Sequence, residues 1–229
     1  MPPFHIYTSM ITQFTEHALF PITVYENNIP VDQEEFRVVK SMPFERMPSN
    51  NGTYTKEKNI LSLLPNTRKQ IQEHVHYYLH TVLEIVDRYD FYFTTSWVNK
   101  HDRGDYAHSH FHANSVVSGV YYLKTPPNSH VLKFLTPDNT NSVFRGNNTS
   151  EFKHGIENFN LVNSSTFFIE PVAGSLIMFP STLKHCTHSI DDNFEGERLA
   201  IVGDVTLVYN PDILDYSQGY IHPRYWKVY

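Results

Sequence analysis

The second half of the chain consists of short apolar runs separated by polar breaks. Valine, isoleucine, tyrosine and phenylalanine are concentrated in these runs, which is typical of β-strands. Turn-forming residues bound most of the runs. We therefore predict strands in the following stretches: Phe91–Val98, Val116–Leu123, Val131–Leu135, Thr166–Glu170, Gly174–Pro180 and Arg198–Tyr209.

The first half is less regular and contains one strong helical pattern. An apolar stripe at helical spacing predicts a helix over Thr67–Arg88, with Asn66 as its N-cap. Residues 1–48 alternate short apolar runs with prolines and polar breaks. Two of these runs, Phe20–Tyr25 and Phe36–Val39, predict one or two peripheral strands there.

Many strands at short spacing, preceded by the main helix, favour a mainly β barrel or sandwich backed by helices. A length of 229 residues fits one domain. We expect N-terminal strands and a supporting helix over 1–90, a β-rich core over 91–209, and a tail over 210–229 that packs back onto it. A long segment rich in asparagine and glycine, 136–165, is interpreted as a substrate lid.

Composition and charge argue against several classes of protein. The chain is 40% hydrophobic and 14% aromatic, which is typical of a folded globular protein. A net charge of −6 without a lysine- or arginine-rich run predicts no direct binding of nucleic acid or anionic membranes. The single cysteine, Cys186, excludes an internal disulfide. Without a signal-peptide pattern or a long apolar run, we expect a cytoplasmic protein.

One stretch carries an unusual concentration of histidine. His108, His110 and His112 alternate along the chain, and Asn114 follows them. In an extended strand, residues two apart project from the same face, so these imidazoles would converge as a metal site requires. We predict a turn near Asn114 and Ser115, which would join this stretch to the next strand as a hairpin with the histidines at its mouth.

The order of several motifs resembles one enzyme family. The chain contains His-x-His-x-Asn-Ser-x-x-Ser-Gly-Val-Tyr-Tyr-Leu, then Gly-x-Leu-x-x-Phe-Pro-Ser-x-Leu-x-His, and then an arginine that opens a late strand. This order resembles the 2-oxoglutarate/Fe(II)-dependent oxygenases, and within them the bacterial and phage group of mostly uncharacterised members. The stretch Ser96–Asn99 is also similar to that group. The resemblance covers roughly Thr94 to Gly203.

The resemblance implies a fold, two cofactors and a reaction. The fold is a double-stranded β-helix, which is a jelly-roll or cupin-like barrel with iron at its open end. Fe(II) is the metal and 2-oxoglutarate is the cosubstrate. The reaction is hydroxylation of an unidentified small molecule or peptide, with release of succinate and carbon dioxide. A phage-encoded protein of this kind would work in the host cytoplasm.

The family pattern also implies a set of metal ligands. His110 and His112 match the proximal ligand pair, and His185 matches the distal histidine. The family usually has a carboxylate where this chain has His112. The ligand set is therefore either three histidines or one completed by Asp105 or water. His108 is interpreted as a residue near the mouth of the site.

Cosubstrate contacts follow from the same resemblance. Arg198 matches the arginine that pairs with the far carboxylate of 2-oxoglutarate, a role that suits a guanidinium. Tyr122 matches a position whose hydroxyl often donates to the same carboxylate. Asn99 is a further candidate cofactor-binding residue. Ala200 departs from the family pattern, since many members have a polar residue there.

Two other functions remain open from the sequence. A three-histidine cupin-type dioxygenase would bind its substrate directly to iron and use no 2-oxoglutarate, and the absence of the usual carboxylate favours it. A non-catalytic jelly-roll binding module would keep the barrel without turnover. Release of succinate after addition of 2-oxoglutarate would distinguish the 2-oxoglutarate-dependent oxygenase from both of these alternatives.

Overall fold

The structure is a computed structural model. It describes Thr15, His17, Asn160, Asp212 and the ranges 21–48, 50–136, 163–189, 194–210 and 222–227. Within these ranges, no helix has both the length and the apolarity needed to cross a membrane.

Eleven strands and two α-helices make up the described regular structure. The strands are β1 (Tyr25–Asn28), β2 (Phe44–Arg46), β3 (Thr53–Thr55), β4 (Tyr89–His101), β5 (Ala107–His110), β6 (Val117–Lys124), β7 (His130–Leu135), β8 (Thr166–Ile169), β9 (Ser175–Pro180), β10 (His185–Ser189) and β11 (Arg198–Tyr209). The helices are α1 (Gln33–Ser41) and α2 (Pro65–Tyr77), with short 3₁₀ turns at Ile60–Leu63 and Pro223–Tyr225.

The strands form two antiparallel sheets that face each other. The larger sheet has the order β1-β9-β6-β11-β4-β3-β2, and the smaller has the order β5-β10-β7-β8. Phe134 of the smaller sheet packs edge-on against Phe179 of the larger, with ring centroids 5.0 Å apart. The predicted mainly β barrel with supporting helices is confirmed.

The larger sheet is buried on both faces. Its inner face packs against the smaller sheet through side chains that include Ala200 and Val202. Its outer face packs against α1, α2 and the turn before α2, through side chains that include Leu199 and Ile201. Strands β6, β9 and β11 contribute to both cores, and this explains why their sequences are nearly continuously apolar.

The predicted strand at Phe36–Val39 is wrong, because these residues lie in α1. The helix begins after Asp32, whose side chain accepts hydrogen bonds from the backbone N–H groups of Glu34 and Glu35. An aspartate followed three residues later by glutamate is a recognised start signal for a helix. That local signal outweighs the short apolar run.

The predicted N-cap of the main helix is also wrong. Leu64 is the capping residue, and Asn66 lies inside α2. The N–H groups at this end that lack a partner within α2 are satisfied by α1. The two carboxylate oxygens of Glu35 accept from Asn66 N at 2.7 Å and from Thr67 N at 2.8 Å. A carboxylate at a helix N-terminus also complements the helix dipole.

The same helix ends earlier than predicted. Regular α-helix stops at Tyr77, a wider π-type turn continues over Tyr78–Val82, and Glu84 has a φ of 52°. The Tyr78 ring is fully buried and its hydroxyl donates to the Thr23 carbonyl at 2.9 Å. Tertiary burial of this ring accompanies the widened turn, and the left-handed residue then ends the helix.

The predicted histidine hairpin is wrong as well. Strand β5 belongs to the smaller sheet and β6 to the larger one, so the two strands do not pair. The bend near Asn114 is present, and Asn114 has a φ of 61°, a conformation that asparagine tolerates better than most residues. The bend carries the chain from one sheet to the other.

Two further expectations concern the loop and the tail. Most of the proposed lid, 137–159, lies outside the described residues. Residues 222–227 of the tail contact the domain, since Tyr92 Oη and His222 Nε2 form a hydrogen bond of 3.0 Å. The division into 1–90, 91–209 and 210–229 stays a prediction.

Replacing the cross-helix cap tests its contribution to stability. Glu35→Ala leaves the N–H groups of Asn66 and Thr67 without their acceptor, so the free energy of unfolding should fall by about 2 kcal/mol. Denaturant unfolding followed by circular dichroism measures this change. Glu34→Ala is the matched control, because that side chain is 83% exposed, and it should change stability by less than about 0.5 kcal/mol. Equal effects of the two substitutions would contradict the capping role.

Candidate functional site

Two histidines meet across the smaller sheet. His110 is the last residue of β5 and His185 is the first residue of β10, and the two are directly paired in the antiparallel ladder. Their ring centroids are 4.4 Å apart. This pairing brings together two residues that are distant in sequence, as the family resemblance implied.

His112 joins them from outside the strand. Its backbone N–H donates to the Ser181 carbonyl at 2.9 Å, which holds the crossover segment against the end of β9. Its ring stacks on Trp97, with centroids 5.9 Å apart, and lies 5.1 Å from the ring of His185. The imidazoles therefore converge because β5 pairs with β10 and because His112 is held by Ser181 and Trp97, not because they alternate along one strand.

Hydrogen bonds fix which nitrogen of each ring carries the proton. His110 Nδ1 lies 2.7 Å from the His108 carbonyl, and His185 Nδ1 lies 2.9 Å from the Leu183 carbonyl. A carbonyl oxygen only accepts, so both Nδ1 atoms donate and both Nε2 atoms keep a lone pair. His112 Nδ1 lies 2.6 Å from Asp204 Oδ1, and a hydrogen bond to this carboxylate has the same consequence.

The three rings form a group suited to a metal ion. Ligand atoms of His110, His112 and His185 all lie within 4.8 Å of one another. Burial lowers the pKa of His185 to about 3 and also lowers the pKa of His110, so both are neutral at pH 7. Neutral imidazoles with a free lone pair bind iron, zinc, copper and nickel. We call these three residues the histidine triad.

Two residues considered from the sequence do not join the triad. The side chain of His108 is exposed, and its ring packs edge-on against Tyr106 at 4.9 Å. The carboxylate of Asp105 accepts from Asp102 N at 2.9 Å within its own turn. Among the residues that the structure describes, the triad is the metal-type cluster and it contains no carboxylate. Completion of the ligand set by Asp105 is thus not supported.

Asp204 is the functional candidate that the sequence reasoning missed. It is buried in β11, and its Oδ1 accepts from His112 Nδ1 and from Ser118 Oγ, the latter at 2.7 Å. The Ser118 hydroxyl is in turn 2.9 Å from that of Ser181. An aspartate within an otherwise apolar strand was the available signal, because a buried carboxylate requires partners.

A second polar feature lies in the same interior. Arg198 is only 3% exposed, and its guanidinium carbon lies 5.1 Å from the centroid of the fully buried Tyr122 ring. Among the residues that the structure describes, Arg198 Nη1 and Tyr122 Oη have no hydrogen-bond partner. Burial lowers the pKa of Arg198 and raises that of Tyr122. A buried guanidinium without an anion is strongly unfavourable, so this place calls for an anionic ligand.

The sheet register relates this cation to the triad. Ala200 pairs with both Tyr122 and Asn99, and Val202 pairs with Trp97, on which His112 stacks. Two residues along a strand correspond to about 7 Å. The guanidinium beside Tyr122 and the triad are therefore separated by a short, mostly apolar stretch of the interior.

Asn99 lies on the same inner row as Trp97. Its side-chain oxygen accepts from Trp97 Nε1 at 2.7 Å, so this residue helps to fix the indole behind His112. A cofactor contact of Asn99 stays a prediction, as do the individual roles of the triad, Arg198 and Tyr122.

The comparisons with known proteins agree with this geometry. Residues 95–204 match a family model described as "Putative 2OG-Fe(II) oxygenase". This segment contains the triad, Tyr122, Arg198 and Asp204. A search of curated proteins finds no match to the chain.

Several solved structures are similar to this one. The non-heme alpha ketoglutarate dependent epimerase SnoN from nogalamycin biosynthesis has a TM-score of 0.51 and 13% identity, covering 83% of this chain and 82% of that chain. A prolyl-4-hydroxylase from Pseudomonas putida has a TM-score of 0.49 and 15% identity, covering 81% and 92%. An oxidoreductase of the 2OG-Fe(II) oxygenase family from Burkholderia pseudomallei has a TM-score of 0.49 and 14% identity, covering 76% and 77%.

At these identities the likeness to SnoN concerns the fold alone, and it confirms the predicted double-stranded β-helix. The family match covers the strands that build the interior and every residue of the site described above. Over residues 95–204 the chain is therefore similar to the 2OG-Fe(II) oxygenases, oxidoreductases that use Fe(II) and 2-oxoglutarate.

Proposed function

We propose that this protein is a dioxygenase that hydroxylates a small molecule or peptide. His110, His112 and His185 hold the Fe(II), and Arg198 with Tyr122 holds the far carboxylate of 2-oxoglutarate. Bound iron, with 2-oxoglutarate as cosubstrate, supplies the oxygen chemistry that yields succinate, carbon dioxide and the hydroxylated product.

The unpaired guanidinium of Arg198 is the observation that carries this proposal. A metal cluster alone fits many functions. A buried cation with no anionic partner among the described residues, in the same interior as the cluster, fits a dicarboxylate cosubstrate. Arginine pairs with a carboxylate through two parallel N–H bonds, and the Tyr122 hydroxyl can donate to the same group. Burial of all three groups strengthens these contacts relative to water.

The remaining residues of the interior position the ligands and exclude water. Phe179 packs against His185 with ring centroids 4.7 Å apart, and Trp97 backs His112. These aromatic contacts limit rotation of the rings, while the Nδ1 hydrogen bonds hold each Nε2 toward the shared point. A dry, fixed donor set of this kind is what a reactive metal centre needs to avoid side reactions.

One observation favours a second candidate. Among the described residues the triad contains histidine alone, and this ligand set also fits a dioxygenase that uses no 2-oxoglutarate and binds its substrate to iron. Such an enzyme has no need of a buried, unpaired arginine. Incubation of the iron-loaded protein with 2-oxoglutarate and oxygen separates the two candidates, because only the first releases succinate.

Cosubstrate binding is the first test. Anaerobic titration of the Fe(II)-loaded protein with 2-oxoglutarate should produce a saturable visible charge-transfer band. Arg198→Met should weaken 2-oxoglutarate binding by about 100-fold or more, because a buried carboxylate loses its charge partner. Metal affinity, measured by competition with a chelator, should not change.

Arg68→Met is the matched control, because this arginine is exposed on α2 and should leave the titration unaltered. His185→Ala should remove both the iron and the band. A wild-type protein that binds iron but shows no band would overturn the proposal and place the second candidate first.

The same arginine makes a prediction about the ligand-free protein. An unpaired buried cation destabilises the fold, so Arg198→Met should raise the free energy of unfolding by about 1–3 kcal/mol in the absence of ligand. Thermal unfolding of the two proteins without 2-oxoglutarate measures the difference. A clear loss of stability in Arg198→Met would mean that the guanidinium already has a partner in the free protein.

Asp204 is expected to tune the metal through His112. Asp204→Asn keeps the shape of the side chain but removes the charge that complements the His112 N–H, so Fe(II) affinity should fall by about 10- to 100-fold. Anaerobic competition with a chelator measures this affinity. Ser118→Ala keeps the carboxylate and removes only its second donor, so it should alter Fe(II) affinity by less than about threefold. Unchanged affinity in Asp204→Asn would contradict the role.

A further inference from the structure

A group of unpartnered buried polar atoms extends beyond Arg198 and Tyr122. Both ring nitrogens of His101 and Nδ1 of His130 are buried, and none of them has a hydrogen-bond partner within the described part of the chain. The two imidazoles lie together, with ring centroids 5.2 Å apart. Native proteins satisfy nearly all such atoms, so a cluster of them around one cation indicates a ligand.

His101 is placed directly against the arginine. It is the last residue of β4 and pairs with Arg198 in the ladder between β4 and β11. Directly paired residues in an antiparallel sheet project from the same face, with Cβ atoms about 5 Å apart. The His101 side chain, which is 1% exposed, thus lies in the same closed part of the interior as the guanidinium.

The protonation of His101 makes it a compatible neighbour. Burial, together with the charge of Arg198 and the neighbouring His130, lowers the pKa of His101 to about 2. At neutral pH the ring is uncharged and carries one N–H. It therefore adds a hydrogen-bond donor beside Arg198 without adding a repelling charge.

The N–H of the His130 ring is already used in another hydrogen bond. Its Nε2 lies 2.7 Å from the Asp105 carbonyl, which only accepts, so Nε2 carries the proton and donates it there. The unpartnered Nδ1 of His130 consequently holds a lone pair, which would repel a carboxylate. Of the two imidazoles, His101 is the one with an N–H still available.

The backbone fixes the position of the His101 ring. A Cβ at Gly52 would lie 2.6 Å from His101 Cδ2, and Gly52 has a φ of 132°, which side-chain-bearing residues rarely adopt. The ring packs directly on this glycine, which limits its movement toward the loop before β3. A fixed donor loses little conformational entropy when a ligand binds.

We propose that His101 donates the third hydrogen bond to the far carboxylate of 2-oxoglutarate, beside Arg198 and Tyr122. This inference rests on the proposed function, since it assigns a further contact to the same cosubstrate. An ionised carboxylate offers about four lone-pair positions, which a guanidinium fork, a phenol and one imidazole N–H can share. Arg198, Tyr122 and His101 together would therefore bind an ionised carboxylate in preference to an ester or an amide of similar size.

Three substitutions separate a donor role from simple packing. His101→Leu fills the space without a polar atom and should weaken binding of 2-oxoglutarate to the metal-loaded protein by about 10- to 100-fold. His101→Asn and His101→Gln each keep an amide N–H, near the position of Nδ1 and of Nε2 respectively. The amide that replaces the donating nitrogen should restore affinity to within about fivefold of wild type. Anaerobic isothermal titration provides the affinities.

Controls distinguish this inference from the function on which it rests. His76→Ala, an exposed histidine of α2, should bind 2-oxoglutarate as wild type does, and metal affinity should be equal in all His101 variants. Failure of wild type to bind 2-oxoglutarate overturns the proposed function. Binding that depends on Arg198 but is unchanged in His101→Leu overturns the inference alone. Loss of binding in His101→Leu that neither amide restores also overturns it, because packing would then explain the loss.

A second measurement observes the hydrogen bond of His101 directly. In zinc-loaded protein labelled with ¹⁵N-histidine, adding 2-oxoglutarate should shift one imidazole N–H signal downfield and slow its exchange with water. The same signal should be missing in His101→Gln. Saturation with 2-oxoglutarate without such a change in the His101 signal would contradict the hydrogen bond.

Discussion

The buried guanidinium of Arg198 is the constraint on which the interior depends. A charge in an apolar core is tolerated only with an opposite charge and with donors and acceptors that complete its surroundings. The larger sheet brings Tyr122 and His101 to this cation from the strands on either side of β11. The described residues supply no anionic partner for this cation. Because the guanidinium lies in the same interior as the histidine triad, a ligand that contacts both must be oriented between them and must match the distance that separates them.

The triad itself depends on tertiary placement. His110 and His185 are brought together by strand pairing, and His112 is held by a backbone bond to Ser181 and by the carboxylate of Asp204. In each ring Nδ1 already donates a hydrogen bond, so the Nε2 lone pair is available and the ring orientation is fixed before a metal binds. The nearby carboxylate of Asp204 contacts the triad through a hydrogen bond to His112 Nδ1.

The sequence predicted the regular core well and the connections poorly. The bounds of β11, Arg198–Tyr209, were predicted because a long β-branched run between polar breaks has one consistent interpretation. The helix at Phe36–Val39 was missed because its start signal precedes the apolar run. The histidine hairpin was wrong because β5 pairs with β10, and no local pattern encodes a partner so distant along the chain. Asp204 was missed for the same reason, since its contact with His112 exists only in the folded chain.

The crossover segment between β5 and β6 has a mechanical consequence. His110 and His185 belong to the smaller sheet, whereas His112 is tied through Asp204 to the larger one. An ion held by all three would therefore act as a clamp between the two halves of the barrel, in addition to its chemical role. Without the ion, the two sheets would be joined at this point only by the protein's own contacts, such as the hydrogen bond between His112 and Asp204.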